Sequence, residues 1–121
     1  MKKKIILIED DADILLTLNM ILESAGYEVN PLTSARTVMN GTFEIPDLFI
    51  LDKRMPDMDG LEVCRHLKSK PETKDIPVII ISASPKFGGA ALKAGANDFL
   101  AKPFTMTALL AMVEKYTAAG R

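Results

Sequence analysis

Apolar runs the length of a β-strand most strongly limit what this chain can fold into. Three predicted strands, residues 4–8, 47–52 and 77–81, have centres made only of Ile, Leu, Val and Phe. Because polar residues do not alternate with the apolar ones, both faces of each strand must be covered by other parts of the protein. Such strands are typical of parallel sheets that carry helices on both faces.

The segment after the first of these strands predicts a helix. Leu15 and Leu18 belong to a set of apolar residues that recur with the helical period, and Gly26 supplies a stop at the C terminus. Either Asp11 or Asp13 can cap the N terminus of this helix. The first strand and helix therefore form one βα unit.

The second βα unit has weaker signals. A short strand around residues 27–30 leads past Pro31 to a helix cap. A helix then begins at Thr33 or Ser34 and ends near residues 40–41.

Three further units follow the same plan. Helices are predicted at residues 60–69, around residues 90–92 with a stop at Gly95, and from Thr105 onward. A short fifth strand occupies residues 98–101. Five βα units in a row predict an α/β fold, a doubly wound parallel sheet with right-handed crossovers.

Composition sets limits on the function. The chain has 121 residues, 48% of them hydrophobic, and a net charge of −1, so we expect one soluble domain over residues 1–121. This charge provides no general attraction to nucleic acid or to an anionic membrane. A single cysteine, Cys64, suits the cytoplasm. The apolar run after the N-terminal lysines is too short for an export signal or a membrane span.

Polar residues follow the predicted strands at the edge where a doubly wound sheet binds its ligands. They are Glu9, Asp10, Asp11, Asp52, Ser82 and Lys102. Clustered carboxylates repel one another unless a cation compensates them, and oxygen ligands suit Mg²⁺ rather than zinc. Lys102 and Ser82 could neutralise and orient a phosphoryl group carried by one of the aspartates.

Four segments, IILIEDDADI, LFILDKRMPDMDG, IPVIIISAS and AGANDFLAKPF, closely resemble the successive motifs of response-regulator receiver domains. The resemblance extends over nearly the whole chain. It implies a flavodoxin-like fold like that of the chemotaxis regulators, with strand order 2-1-3-4-5. It also implies a signalling switch rather than a turnover enzyme, phosphorylated by a sensor histidine kinase or a phosphotransfer protein with Mg²⁺, for which Mn²⁺ can substitute.

On this resemblance, Asp52 is the phosphate acceptor. Glu9 and Asp10 hold Mg²⁺ together with Asp52 and the main-chain carbonyl of Arg54, and Asp10 binds the ion directly. Lys102 contacts the phosphoryl group.

The resemblance also assigns the switch. The Ser82 hydroxyl moves to the phosphoryl oxygen, and the Phe99 ring then rotates inward. Side chains at Arg54 and Ser84 tune how fast water removes the phosphoryl group, and the peptide bond before Pro103 is cis. The face formed by the fourth helix, fifth strand and fifth helix changes and reports the signal.

Simpler and rival interpretations compete with these roles. Asp52 could merely cap a turn, and Glu9 and Asp10 could form a solvated turn. A haloacid-dehalogenase-like phosphatase would need a second acid where Arg54 stands, and an FMN carrier would need a glycine-rich phosphate loop in place of residues 9–11. The chain could also be a receiver that works without phosphate, or part of a longer regulator or hybrid kinase.

We expect a protein partner downstream, whose identity the sequence does not indicate. We also expect a monomer or a weak phosphorylation-dependent dimer.

One segment departs from the family pattern. The stretch between Ser82 and Lys102 is slightly shorter than usual and contains Gly88 and Gly89, although Ser84 and Pro85 resemble a helix cap and first turn. A glycine inside a helix costs roughly 1 kcal/mol relative to alanine. We therefore predict a short or frayed fourth helix and an atypical output contact.

Overall fold

The computed structural model describes residues 2–55, 58–84, 86 and 88–118. Strands and helices alternate along this part of the chain. The strands are β1 Lys4–Ile8, β2 Glu28–Leu32, β3 Leu48–Asp52, β4 Val78–Ser82 and β5 Asp98–Ala101. The helices are α1 Ala12–Ser24, α2 Arg36–Met39, α3 Gly60–Ser69, α4 Gly88–Lys93 and α5 Met106–Thr117.

The strands form one parallel sheet in the order β2-β1-β3-β4-β5. In its register, Ile6 of β1 lies beside Phe49 of β3, and Ile50 of β3 lies beside Ile79 of β4. The predicted doubly wound fold and its strand order are confirmed.

The uninterrupted apolar strands are explained by two separate cores. Successive side chains of a strand point to opposite faces of the sheet. Ile6 and Phe49 belong to the core beneath α2, α3 and α4, whereas Ile5 and Ile50 belong to the core beneath α1 and α5. Every residue of β3 and β4 is buried, as expected for strands covered on both faces.

The α1 cap settles one alternative that the sequence left open. Oδ1 of Asp11 accepts hydrogen bonds from the N–H groups of Asp13 (2.9 Å) and Ile14 (3.1 Å), so Asp11 is the N-cap. Gly26 follows the helix with φ +99°, a conformation that side chains disfavour. The predicted stop at Gly26 is confirmed.

Two predictions about the second unit are wrong. Pro31 lies inside β2, which extends to Leu32, because β2 is an edge strand and a missing N–H is tolerated there. The following helix begins later than predicted and has only four residues. Ala35 occupies its cap position, and the Ser34 hydroxyl accepts a hydrogen bond from the Arg36 N–H (3.2 Å).

The fourth helix, α4, has only six residues, which confirms the prediction of a short helix. Of the predicted Ser84 and Pro85 cap, Pro85 lies outside the described residues. None of the helices in the described part of the chain has the length and apolar character needed to cross a membrane.

Candidate functional site

The carboxyl ends of β1, β3, β4 and β5 bring the predicted polar residues to one edge of the sheet. Main-chain hydrogen bonds continue past the strand ends: the Lys53 N–H donates to the Ile81 carbonyl and the Lys102 N–H to the Ser82 carbonyl, both at 2.8 Å. The hydrogen bonding of the sheet therefore continues one residue beyond Asp52 on β3 and beyond Ala101 on β5.

Glu9, Asp10 and Asp52 form what we call the carboxylate cluster. One side-chain oxygen from each lies within 4.8 Å of the other two. Glu9 and Asp52 are buried, at 3% and 6% exposure, whereas Asp10 is exposed. Oxygens bound to a single Mg²⁺ at about 2.1 Å lie no more than about 4.2 Å apart. The cluster therefore fits a small hard cation after only slight closure.

Lys102 partly balances the charge of the carboxylate cluster. Its Nζ atom lies 3.3 Å from Oε1 of Glu9 and 3.3 Å from Oδ1 of Asp52. Burial alone would lower the pKa of Lys102, but the two neighbouring carboxylates outweigh burial and raise it. The lysine is therefore a permanent cation at this edge of the sheet.

The buried carboxyl groups remain under electrostatic stress. Burial raises the pKa of Asp52 above its usual range, although the charge of Lys102 acts in the opposite direction. Burial likewise raises the pKa of Glu9, against a hydrogen bond that its Oε2 accepts from the Asp11 N–H (3.1 Å). A further cation bound among these oxygens would relieve this stress.

The backbone after Asp52 meets the start of α3 at very close range. A Cβ atom on Gly60 would collide with the main-chain oxygen of Asp52, so only glycine fits here. The Gly60 N–H donates to the Lys53 carbonyl at 2.8 Å. Arg54, whose carbonyl was predicted to bind Mg²⁺, follows Lys53 directly and is exposed.

Asp59 links the two ends of this connection. Its Oδ1 caps α3 by accepting the Leu61 N–H, and its Oδ2 accepts from Nζ of Lys53, both at 2.8 Å. Partial burial acts to raise the pKa of Asp59, but these two hydrogen bonds outweigh it and lower the pKa. Sequence reasoning missed this pair. The Asp-Gly step that opens α3 was the available signal for the cap, and nothing local indicated Lys53.

The two predicted switch residues, Ser82 and Phe99, lie on β4 and β5. Ser82 is buried at the end of β4, and its hydroxyl accepts a hydrogen bond from the Ser84 N–H (3.1 Å). Phe99 is half-buried in the core beneath α3 and α4, where its ring lies next to Gly88. The Lys102–Pro103 peptide bond is cis.

The structure thus brings together the acidic residues and the lysine that the sequence singled out. Glu9, Asp10, Asp52 and Lys102 share one set of short distances, and Ser82 ends the neighbouring strand. Phe99 belongs to a different part of the molecule, between the sheet and α4.

Comparison with known proteins points to one family. The family model for the response regulator receiver domain matches residues 5–114. The phosphate regulon transcriptional regulatory protein PhoB of Rhizobium meliloti (strain 1021) is 35% identical over 119 residues. That alignment covers 94% of this chain but only 52% of PhoB, so the chain spans about half the length of this relative.

Solved structures agree with the sequence comparison. The signal receiver domain of a signal transduction histidine kinase from Syntrophus aciditrophicus matches with a TM-score of 0.88 and 33% identity, over 98% of this chain and 92% of that one. The receiver domain of sensor histidine kinase PA1611 from Pseudomonas aeruginosa PAO1 has a magnesium ion coordinated in its active-site cleft. It matches with a TM-score of 0.88 and 25% identity, over 98% of this chain and all of that one. The chain therefore belongs to the response-regulator receiver domain family.

Proposed function

We propose that this chain accepts a phosphoryl group on Asp52, with Mg²⁺, from a sensor histidine kinase or a phosphotransfer protein. The observation that carries the proposal is the position of the Asp52 carboxylate. It lies 3.3 Å from Nζ of Lys102 and within 4.8 Å of carboxylate oxygens of Glu9 and Asp10. Receiver domains as a family are phosphoryl-accepting signalling domains, and this arrangement is suited to that chemistry.

In the reaction, a carboxylate oxygen of Asp52 attacks the phosphorus atom of the donor phosphohistidine. The bond between phosphorus and nitrogen breaks, its electron pair stays on the imidazole ring, and that ring binds a proton. Lys102 keeps Asp52 available in its ionised form against the effect of burial. The lysine would then contact an oxygen of the transferred group, where negative charge is concentrated.

Glu9, Asp10, Asp52 and the carbonyl of Arg54 would hold Mg²⁺, or Mn²⁺ in its place. When bound, such an ion neutralises phosphoryl oxygens and helps to align the acceptor with the donor. The magnesium in the receiver domain of the Pseudomonas kinase supports this assignment, as does the oxygen-only character of the cluster here. Arg54 and Ser84 would tune hydrolysis from their positions on the loops that follow β3 and β4.

Phosphorylation would be transmitted by a shift between two arrangements of the protein. The Ser82 hydroxyl, now bonded to the Ser84 N–H, would turn to a phosphoryl oxygen. Phe99 would follow, and its ring lies beside the first residue of α4. The face formed by α4, β5 and α5 would therefore change and bind a downstream protein.

The proposal also covers the output, location and assembly of the protein. Because the chain spans only part of relatives such as PhoB, its output partner and any further domain are open. We continue to expect a single domain over residues 1–121, a cytoplasmic location and no direct contact with nucleic acid. We also expect a monomer or a weak dimer.

The experiment that tests the proposal is intact-mass measurement after incubation with acetyl phosphate and Mg²⁺. The wild type should gain one phosphoryl group, and Asp52→Asn should gain none. Asp47→Asn is the matched control and should label normally. Asp47 immediately precedes β3, at the end of the strand away from Asp52, and its Oδ2 accepts a hydrogen bond from the Lys4 N–H (2.8 Å). Equal labelling of Asp52→Asn and the wild type, or labelling without Mg²⁺, would contradict the proposal.

A further inference from the structure

We propose that Lys53 is a positioning residue for the metal site: its ion pair with Asp59 holds the start of the β3–α3 connection so that the Arg54 carbonyl can bind Mg²⁺. The inference rests on the proposed function and assigns a role to a residue outside the ligand set. We refer to the Lys53–Asp59 pair as the clamp.

Both the main chain and the side chain of Lys53 form hydrogen bonds. Its N–H donates to the Ile81 carbonyl of β4, its carbonyl accepts the N–H of Gly60, and its ammonium group bonds to Asp59, each at 2.8 Å. The side chain of Lys53 is 15% exposed and that of Asp59 is 41% exposed. A partly buried pair of this kind is less screened by solvent than an ordinary surface ion pair.

The clamp acts on the residue that follows it. The Lys53 carbonyl and the Arg54 carbonyl belong to consecutive peptide groups that only the φ and ψ angles of Arg54 separate, so fixing the first limits the positions that the second can reach. The α3 end of the clamp is also fixed, because Gly60 lies against the main-chain oxygen of Asp52 and Asp59 caps the helix. The clamp therefore ties the proposed carbonyl ligand to the same rigid unit as the Asp52 backbone.

Groups that only orient metal ligands can change metal affinity by about tenfold or more when they are removed. A simple charge effect predicts the opposite sign for Lys53. Loss of a positive charge next to Asp52 would favour a divalent cation by reducing repulsion. Weaker Mg²⁺ binding after the loss of Lys53 would therefore be the mark of positioning.

The test is a Mg²⁺ titration of the unphosphorylated protein, followed by NMR chemical shifts, which also report whether each variant is folded. Lys53→Met keeps the apolar stem and removes the charge, and Lys53→Gln is the second variant should that one fail to fold. We expect about tenfold weaker Mg²⁺ binding in either case. Lys53→Arg retains a donor for Asp59 and should restore part of the affinity.

Lys70→Gln is the matched control. It removes one positive charge from the C-terminal end of α3, opposite Asp59, where Lys70 is exposed. Its Mg²⁺ affinity should equal that of the wild type. Asp59→Asn keeps an acceptor for the α3 cap. It should weaken Mg²⁺ binding less in the Lys53→Met background than in the wild type, because the clamp is already broken there and only the loss of a negative charge remains.

The outcomes separate this inference from the proposed function. Equal or tighter Mg²⁺ binding by Lys53→Met, with normal labelling of the wild type on Asp52, would overturn the clamp and leave the function intact. Failure of the wild type to bind Mg²⁺ would overturn both. Additive losses from Lys53→Met and Asp59→Asn would show that the two residues act separately and would also overturn the clamp.

Discussion

The two faces of the sheet differ in how their helices are built. On one face, α1 and α5 have 13 and 12 residues, and side chains of Asp11 and Thr105 cap them. On the other face, α3 has ten residues and is capped by Asp59, but its neighbours α2 and α4 have only four and six residues, and Ala91 is the buried residue of α4. Large apolar side chains anchor the first pair, whereas the short helices have little to bury.

This difference suggests a division of labour between the faces. The face with the two long helices carries β1 into α1 and so positions Glu9 and Asp10, which would hold Mg²⁺ in the proposed function. The face with α4 carries Gly88 and Phe99, which would rearrange in the proposed switch. Elements that move tend to come from the less stable parts of a protein.

Loss of a large side chain from the face with α1 and α5 should have the largest effect on stability. Leu22 of α1 is fully buried, so Leu22→Ala should lower the free energy of unfolding by about 3 kcal/mol. Leu16→Ala on the same helix is the control, because Leu16 is 58% exposed and its loss should cost less than about 0.5 kcal/mol. Urea denaturation measures both. Similar losses for the two variants would show that α1 is not anchored as described.

Mg²⁺ bound at the carboxylate cluster should stabilise the folded protein. Mg²⁺ at ten times its dissociation constant should raise the free energy of unfolding by about 1.4 kcal/mol, because it binds only the folded chain. Asp10→Asn should remove most of this gain. Urea denaturation with and without MgCl₂, against NaCl at equal ionic strength, provides the measurement. A gain that persists in Asp10→Asn would mean that the ion binds elsewhere.

The carboxylate cluster should itself lower stability when no metal is bound. Burial raises the pKa of both Glu9 and Asp52, so their ionised forms are disfavoured in the folded protein. Asp52→Asn should therefore raise the free energy of unfolding in Mg²⁺-free buffer by about 1 kcal/mol at pH 7. Asp47→Asn should give no such gain. Destabilisation by Asp52→Asn would show that attraction to Lys102 exceeds the cost of burying the carboxylate.

Much of this architecture could be predicted because local patterns and global packing agree. The non-alternating strands predicted two covered faces, and polar residues placed after those strands predicted the edge where the carboxylate cluster and Lys102 meet. Glu9, Asp52 and Lys102 are far apart in the sequence, but they could be grouped from the sequence alone because parallel strands end at one edge of the sheet.

The parts that could not be predicted depend on tertiary position. Pro31 stays within β2 only because that strand lies at the edge of the sheet, which no local pattern shows. The bond between Lys53 and Asp59 depends on where the start of α3 lies relative to the end of β3, and so does the closeness of Gly60 to the Asp52 oxygen. The sequence could not distinguish Asp11 from Asp13 as the cap, because the distinction depends on the exact residue at which α1 begins.

Gly89 lies in α4, one of the two short helices, and its replacement should have a small effect on stability. A Cβ atom on Gly89 would meet nothing within 4 Å, so Gly89→Ala should stabilise the protein by about 0.5 kcal/mol and slow amide exchange in α4. The same change at Gly26, where φ is +99°, should destabilise the protein, since alanine disfavours that conformation. Hydrogen exchange and urea denaturation measure both. Strong protection of Lys86 and of Gly88 to Ala90 in the wild type would show that α4 is already firm, and the contrast between the two faces would then lie in helix length alone.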